Sequence, residues 1–70
     1  MQIQTDLLSM VVALRKYSDV AITFRRDRAF VGVTVHPPGL ESEDIGWLDI
    51  FEARKLVGEK LFTAEDIGDK

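Results

Sequence analysis

The 70-residue chain contains no cysteine, which excludes disulfides and removes thiolate from any metal site. Histidine occurs once, as His36, so carboxylates are the only other strong metal ligands. Long apolar runs are missing too. The richest stretch, Met10 to Leu14 flanked by Leu7 and Leu8, falls far short of the roughly 20 residues a membrane span needs. No basic segment followed by an apolar one opens the chain, so a cytoplasmic, soluble protein is expected. Catalytic motifs are absent as well: there is no Gly-x-Ser-x-Gly elbow, and no strand, Gly-rich loop and helix in phosphate-binding order. His36 with Ser9, Ser18 or Ser42 has none of the surrounding pattern a hydrolase uses. The reading is therefore a non-enzyme with no catalytic residues, no cofactor and no bound metal.

A chain of this length forms one domain, residues 1–70, and buries only about 60% of its unfolded surface. Small domains of this kind draw extra stability from disulfides, a metal or a partner subunit. With the first two set aside, a partner is the expected source.

Charge is unevenly placed. Residues 1–28 carry Arg15, Lys16, Arg25, Arg26 and Arg28 against Asp6, Asp19 and Asp27, a balance of +2. Residues 29–70 carry Arg54, Lys55, Lys60 and Lys70 against nine acids, a balance of -5. The two halves thus present different electrostatic surfaces.

Apolar residues recur at Ile3, Leu7, Met10, Val11, Leu14 and Tyr17, the spacing of a helix that Ser18-Asp19 ends. Val20, Ile22 and Phe24 alternate with polar or small residues, as in a half-buried strand. Arg26-Asp27-Arg28 reads as a hairpin break, and Ala29 to about Val35 as the return strand. His36-Pro37-Pro38-Gly39 stops it, because consecutive prolines cannot donate to a ladder. Glu41-Ser42-Glu43-Asp44 reads as a charged loop and Ile45–Leu48 as a short third strand. Asp49 followed by Glu52 fits a helix N-cap and its N3 partner. The second helix then starts at Ile50 with Ile50, Ala53, Val57 and Leu61 inward, and Gly58 stops or kinks it. The polar end, 63–70, is expected to fray or form one extra turn. The fold class is α+β, in the order α-β-β-β-α: a small antiparallel sheet with both helices packed on one face.

Four features bear on function. The apolar side chains of the first helix spread over roughly 220° of the helical wheel, about twice what covering one sheet face requires. Leu8 and Val12 lie on the surplus flank and need a cover, either the second helix or a partner. Arg25, Arg26 and Arg28 cluster at the hairpin tip, where guanidinium groups can hold carboxylate or phosphate. Glu41, Glu43 and Asp44, continuing to Asp49 and Glu52, form an acidic stretch without a lysine or arginine. It either complements the start of a helix or binds a basic surface. Trp47, Phe51 and Phe62 either complete the core or, on the flank, extend the apolar surface, with Trp47 as its anchor.

The expected function is a non-catalytic protein-binding module, a small regulator, adaptor or inhibitor that forms a homodimer or docks on a protein partner. Its contact residues are Leu8, Val12, Trp47, Arg25, Arg26, Arg28, Glu41, Glu43 and Asp44. The alternative is a nucleic-acid-binding domain using the basic hairpin. Double-stranded RNA-binding domains share the element order and place basic residues at the start of the last helix. Here Asp49-Ile50-Phe51-Glu52 stands there, with only Arg54-Lys55 matching in character, and phosphate contacts need positive charge.

Overall fold

The computed structural model describes residues 5–68. Helix α1 spans Leu7–Lys16, strands β1, β2 and β3 span Ala21–Asp27, Phe30–His36 and Glu43–Asp49, and helix α2 spans Ile50–Gly58. The strands form an antiparallel sheet in the order β1-β2-β3. Both helices share one core with Ile22 and Phe24 of β1, Val31 and Val33 of β2, and Leu48 of β3. Among the described residues, no helix lies on the opposite sheet face.

Each helix begins on an aspartate. Asp6 accepts from the Ser9 N–H at 2.8 Å and from the Ser9 hydroxyl at 3.2 Å. Asp49 accepts from the Glu52 N–H at 2.7 Å, which occupies a donor the helix start leaves open. Helix α1 begins at Leu7, later than the apolar spacing suggested, and Ile3 lies outside the described residues. Its buried side chains are Met10 and Leu14, one turn apart on the sheet-facing stripe.

Two strand boundaries and one helix face differ from the sequence reading. The hairpin strands run on through Arg26 and Asp27, and the turn is Arg28-Ala29, with Arg28 left-handed at φ 57. The third strand begins at Glu43, within the expected acidic loop. A bulge allows this: Val33 pairs with Gly46 but Thr34 pairs with Asp44, leaving Ile45 as an extra residue on β3. Uninterrupted alternation would turn Asp44 toward the core and Ile45 toward the open face. With the bulge, Asp44 accepts from the Thr34 hydroxyl at 2.7 Å while Ile45 packs against the core. The inward stripe of α2 is also rotated: Ala53 and Leu56 are buried, and Ile50, Val57 and Leu61 pack around them.

Helix α2 stops after Gly58, yet Lys60 is the residue that turns left-handed, at φ 64. The Leu61 N–H reaches the Leu56 carbonyl and the Lys60 N–H reaches the Val57 carbonyl, both at 3.0 Å, the paired bonds of a Schellman ending. Glycine and side chain are thus two positions out of their preferred places. Gly58→Ala, whose new methyl meets nothing within 4 Å, should stabilise the protein by about 0.5–1 kcal/mol. Lys60→Gly should stabilise it by up to about 1 kcal/mol by removing the left-handed cost. A rise in the urea midpoint at unchanged m-value checks both.

Of the expected polar end, residues 63–68 form the one extra turn, and 69–70 lie outside the described residues. Phe62 is buried edge-on against Phe24, ring centroids 4.3 Å apart. Thr63 and Asp66 bond reciprocally, each backbone N–H to the other's side chain, at 2.8 and 3.2 Å. That capping box closes one turn and aims Ile67, 1% exposed, into the core.

Candidate functional site

The sequence-chosen contact residues do not fall in one place. Arg26 turns to the C-terminal turn, where its guanidinium donates to the Ile67 carbonyl at 3.1 Å and to the Arg28 carbonyl at 2.7 Å. Arg25 lies across the Trp47 ring on the open sheet face, 5.3 Å from its centroid, and Gly32 between them leaves room for the indole. Trp47 is therefore neither a core residue nor a neighbour of Leu8 and Val12. Arg28 stands at the turn and Glu41 in the loop after β2. The three arginines do not converge on one ligand position. Of the two places open to Phe51, it does not take the core: it is 70% exposed with Lys55 over its ring.

His36 sits at the far end of the open face between two hydroxyls. Its Nε2 lies 2.6 Å from Thr23 Oγ1 and its Nδ1 2.7 Å from Ser42 Oγ. A triad base has a carboxylate on its second nitrogen to orient it. Here a second hydroxyl takes that place, and the imidazole fastens the loop after β2 to β1. Pro37 to Leu40 closes that loop as a turn, with Gly39 at φ 74 and the Leu40 N–H on the Pro37 carbonyl. Among the described residues, no group of three His, Asp or Glu side chains could hold a metal ion.

What does come together is the outer surface of α1. The Thr5 N–H donates to the Trp47 carbonyl at 2.7 Å, and the Tyr17 hydroxyl donates to Glu43 at 3.1 Å. These contacts run α1 antiparallel along β3. Arg15 pairs with Glu59 at 2.8 Å, linking α1 to α2, an exposed bridge worth at most about 1 kcal/mol. Between the two lines of attachment, Leu8 and Val12 stand uncovered, 74% and 61% exposed. Leu7 and Val11, beside them, pack against the core that α1 shares with α2.

The chain matches no known family model, no curated protein and no solved structure.

Two grooves flank the Leu8–Val12 ridge. One, of about 510 Å³, lies between α1 and β3, with Ala13, Tyr17 and Ile45 below and Glu43 and Asp44 on its wall. The other, of about 430 Å³, lies between α1 and α2, with Leu7 and Val11 below and Lys55 and Glu59 on its wall. A shallower acidic recess at the start of α1 is lined by Asp6, Asp49 and Glu52. The Asp6 carboxyl is held below its ordinary value of 3.8 by the Ser9 N–H and hydroxyl, so it carries its charge even in mild acid. Periodicity located Leu8 and Val12; the grooves beside them depend on how far β3 and α2 stand from α1, which a one-dimensional pattern does not encode.

No helix among the described residues is long and apolar enough to cross a membrane.

Proposed function

We propose that this protein is a non-catalytic protein-docking module and that the outer face of α1 is its docking face. The observation that carries this reading is the uncovered Leu8–Val12 ridge between two apolar-floored grooves. Two large aliphatic side chains one turn apart, in water, on a helix whose other face is fully used, give a partner its apolar centre. The charged groups around them set orientation and rate of encounter. Regulator, adaptor and inhibitor are all roles that such a face serves.

Leu8→Gln with Val12→Gln tests the reading. Both sites are exposed and glutamine favours helix, so the unfolding free energy should move by less than about 0.5 kcal/mol. A partner recovered from the native host with the unmodified protein, then purified and titrated by calorimetry, should bind the double variant at least about tenfold more weakly, the loss of about 1.4 kcal/mol. Equal affinity for both proteins would move the docking face elsewhere.

A further inference from the structure

Among the described residues, strand β1 has β2 as its only strand neighbour. Asp27 and Phe30 flank the two-residue turn Arg28-Ala29, so they exchange both backbone bonds, and every second pair along the ladder does the same. The Ala29 carbonyl accepts from the Ile50 N–H at 2.6 Å, which fixes the same parity: odd residues of β2 bond to β3 and even ones to β1. Ile22, Phe24 and Arg26 therefore point their N–H and C=O groups away from the sheet. Among the described residues, no backbone group bonds to them there. The other edge is different, because the Trp47 carbonyl of β3 is taken by the Thr5 N–H at 2.7 Å. Strand β1 also lacks the features that keep natural edges apart. It has no proline, no lysine and no bulge against β2, and Ala21 to Phe24 carries no charge.

We infer that this edge pairs with β1 of a second copy of the chain, antiparallel about a twofold axis at Phe24, so that two three-stranded sheets become one. Charge selects that occupant and that register. Phe24 is the middle residue of Ala21–Asp27, so centring there pairs every residue of both strands. Arg25 then faces Thr23 of the second copy, Arg26 faces Ile22 and Asp27 faces Ala21, and no charge meets its like. Centred on Arg25, the ladder would set that residue against itself; centred on Thr23, it would set Asp27 against Asp19. Like charges directly opposite destabilise a pair of strands. The strand is thus complementary to itself, its neutral half against its charged half. Ile22 and Phe24 are only half-buried in the single chain, and their cross-strand partners Arg26 and Phe24 lie on the same face to cover them. A domain of this size draws stability from such a partner. The inference goes beyond the docking reading and does not rest on it: α1 runs along β3 at the other edge, so the pairing makes no use of Leu8 and Val12. One ladder is small beside the roughly 1,200 Å² of a standard interface, so a reversible dimer with a dissociation constant of about 10–100 μM is expected.

Sedimentation equilibrium of the whole protein, from about 5 μM to 1 mM, should show the average mass rising toward that of a dimer. A monomer throughout would overturn the inference and leave the docking face to its own titration. Cross-linking reads the register, and the chain has no cysteine to confuse it. Thr23 and Arg25 are exposed. Across the dimer they form a pair that exchanges no backbone bonds, with Cα atoms about 4.5 Å apart, within disulfide reach. Two copies of Thr23 stand diagonally at about 7–8 Å, beyond that reach. Under mild oxidation, an equal mixture of Thr23→Cys and Arg25→Cys proteins should form covalent dimer at least about fivefold faster than either variant alone. Ala21→Cys with Asp27→Cys, the next such pair, gives the same reading if circular dichroism shows a first variant unfolded. Equal rates for mixed and separate variants in both sets would overturn the β1 pairing. Leu8→Gln/Val12→Gln should leave the dimer intact. A dimer that this variant dissociates would place self-association on α1, overturning the inference while keeping the docking face.

Discussion

Replacing Ile67 with alanine is expected to lower the unfolding free energy by about 2–4 kcal/mol, measured by urea denaturation. The residue lies three positions from the chain end, yet it is 1% exposed and shares the core with Leu14, Val31, Val33 and Leu56. Removing most of its side chain leaves a void, because the elements around it are held from elsewhere and collapse only partly. A domain this size has about 4–10 kcal/mol of stability in total, so the loss is a large fraction. Leu40→Ala is the comparison: that leucine is of similar size but 74% exposed, and its loss should cost less than about 0.5 kcal/mol. Similar costs for the two variants would mean that the C-terminal turn is not packed. Arg26→Ala should loosen the same turn without emptying the core, because the Arg26 guanidinium bonds to the Ile67 carbonyl. Faster amide exchange at Asp66 and Gly68, whose N–H groups close the turn, would report it.

Gly46→Ala is expected to cost about 2–6 kcal/mol, from two separable causes. Gly46 has φ 153, a backbone conformation that side chains rarely adopt, and holding alanine there costs about 1–3 kcal/mol. A methyl group at this position would also run into the Thr5 side chain, overpacking of about 1–3 kcal/mol where the chain enters α1. The glycine follows the bulge residue Ile45, so the site cannot shift without disturbing the register that turns Asp44 outward. A double-mutant cycle with Thr5→Gly divides the two terms. Trimming Thr5 should recover the steric part only. Full recovery would show that the backbone at Gly46 is unstrained, and no recovery that Thr5 is not in the way.

Helix and strand identities were legible where periodicity was strong. Met10 and Leu14 of α1, Ile22 and Phe24 of β1, and Val31, Val33 and Val35 of β2 took the faces their spacing assigned. Glu41 and Ser42 are loop as expected, but Glu43 and Asp44 belong to β3, because a bulge breaks the two-residue period at the point where that strand begins. Ile45 and Asp44 then exchange the faces that alternation assigns them. Helix α2 ends at Gly58, where the sequence placed its stop, although the left-handed residue of that ending is Lys60.

The arginine tip shows the same limit. Arg25, Arg26 and Arg28 are neighbours in sequence, but strand alternation sends Arg25 to the Trp47 face and Arg26 toward the C-terminal turn. Their separation follows from the strands continuing through Arg26 and Asp27, where charge had suggested a turn.

By itself, the amino-acid order determined the element sequence, the aspartate that starts α2 and the surplus of apolar side chains on α1. All three arise from interactions within a few residues, where spacing and side-chain type are sufficient. Only the tertiary structure decided that α2 leaves Leu8 and Val12 uncovered, that Ile67 returns to the core, and that Glu43 and Asp44 of β3 stand beside the ridge. Those outcomes depend on where separate elements come to rest against each other, and residues distant along the chain meet only after the sheet has set that placement.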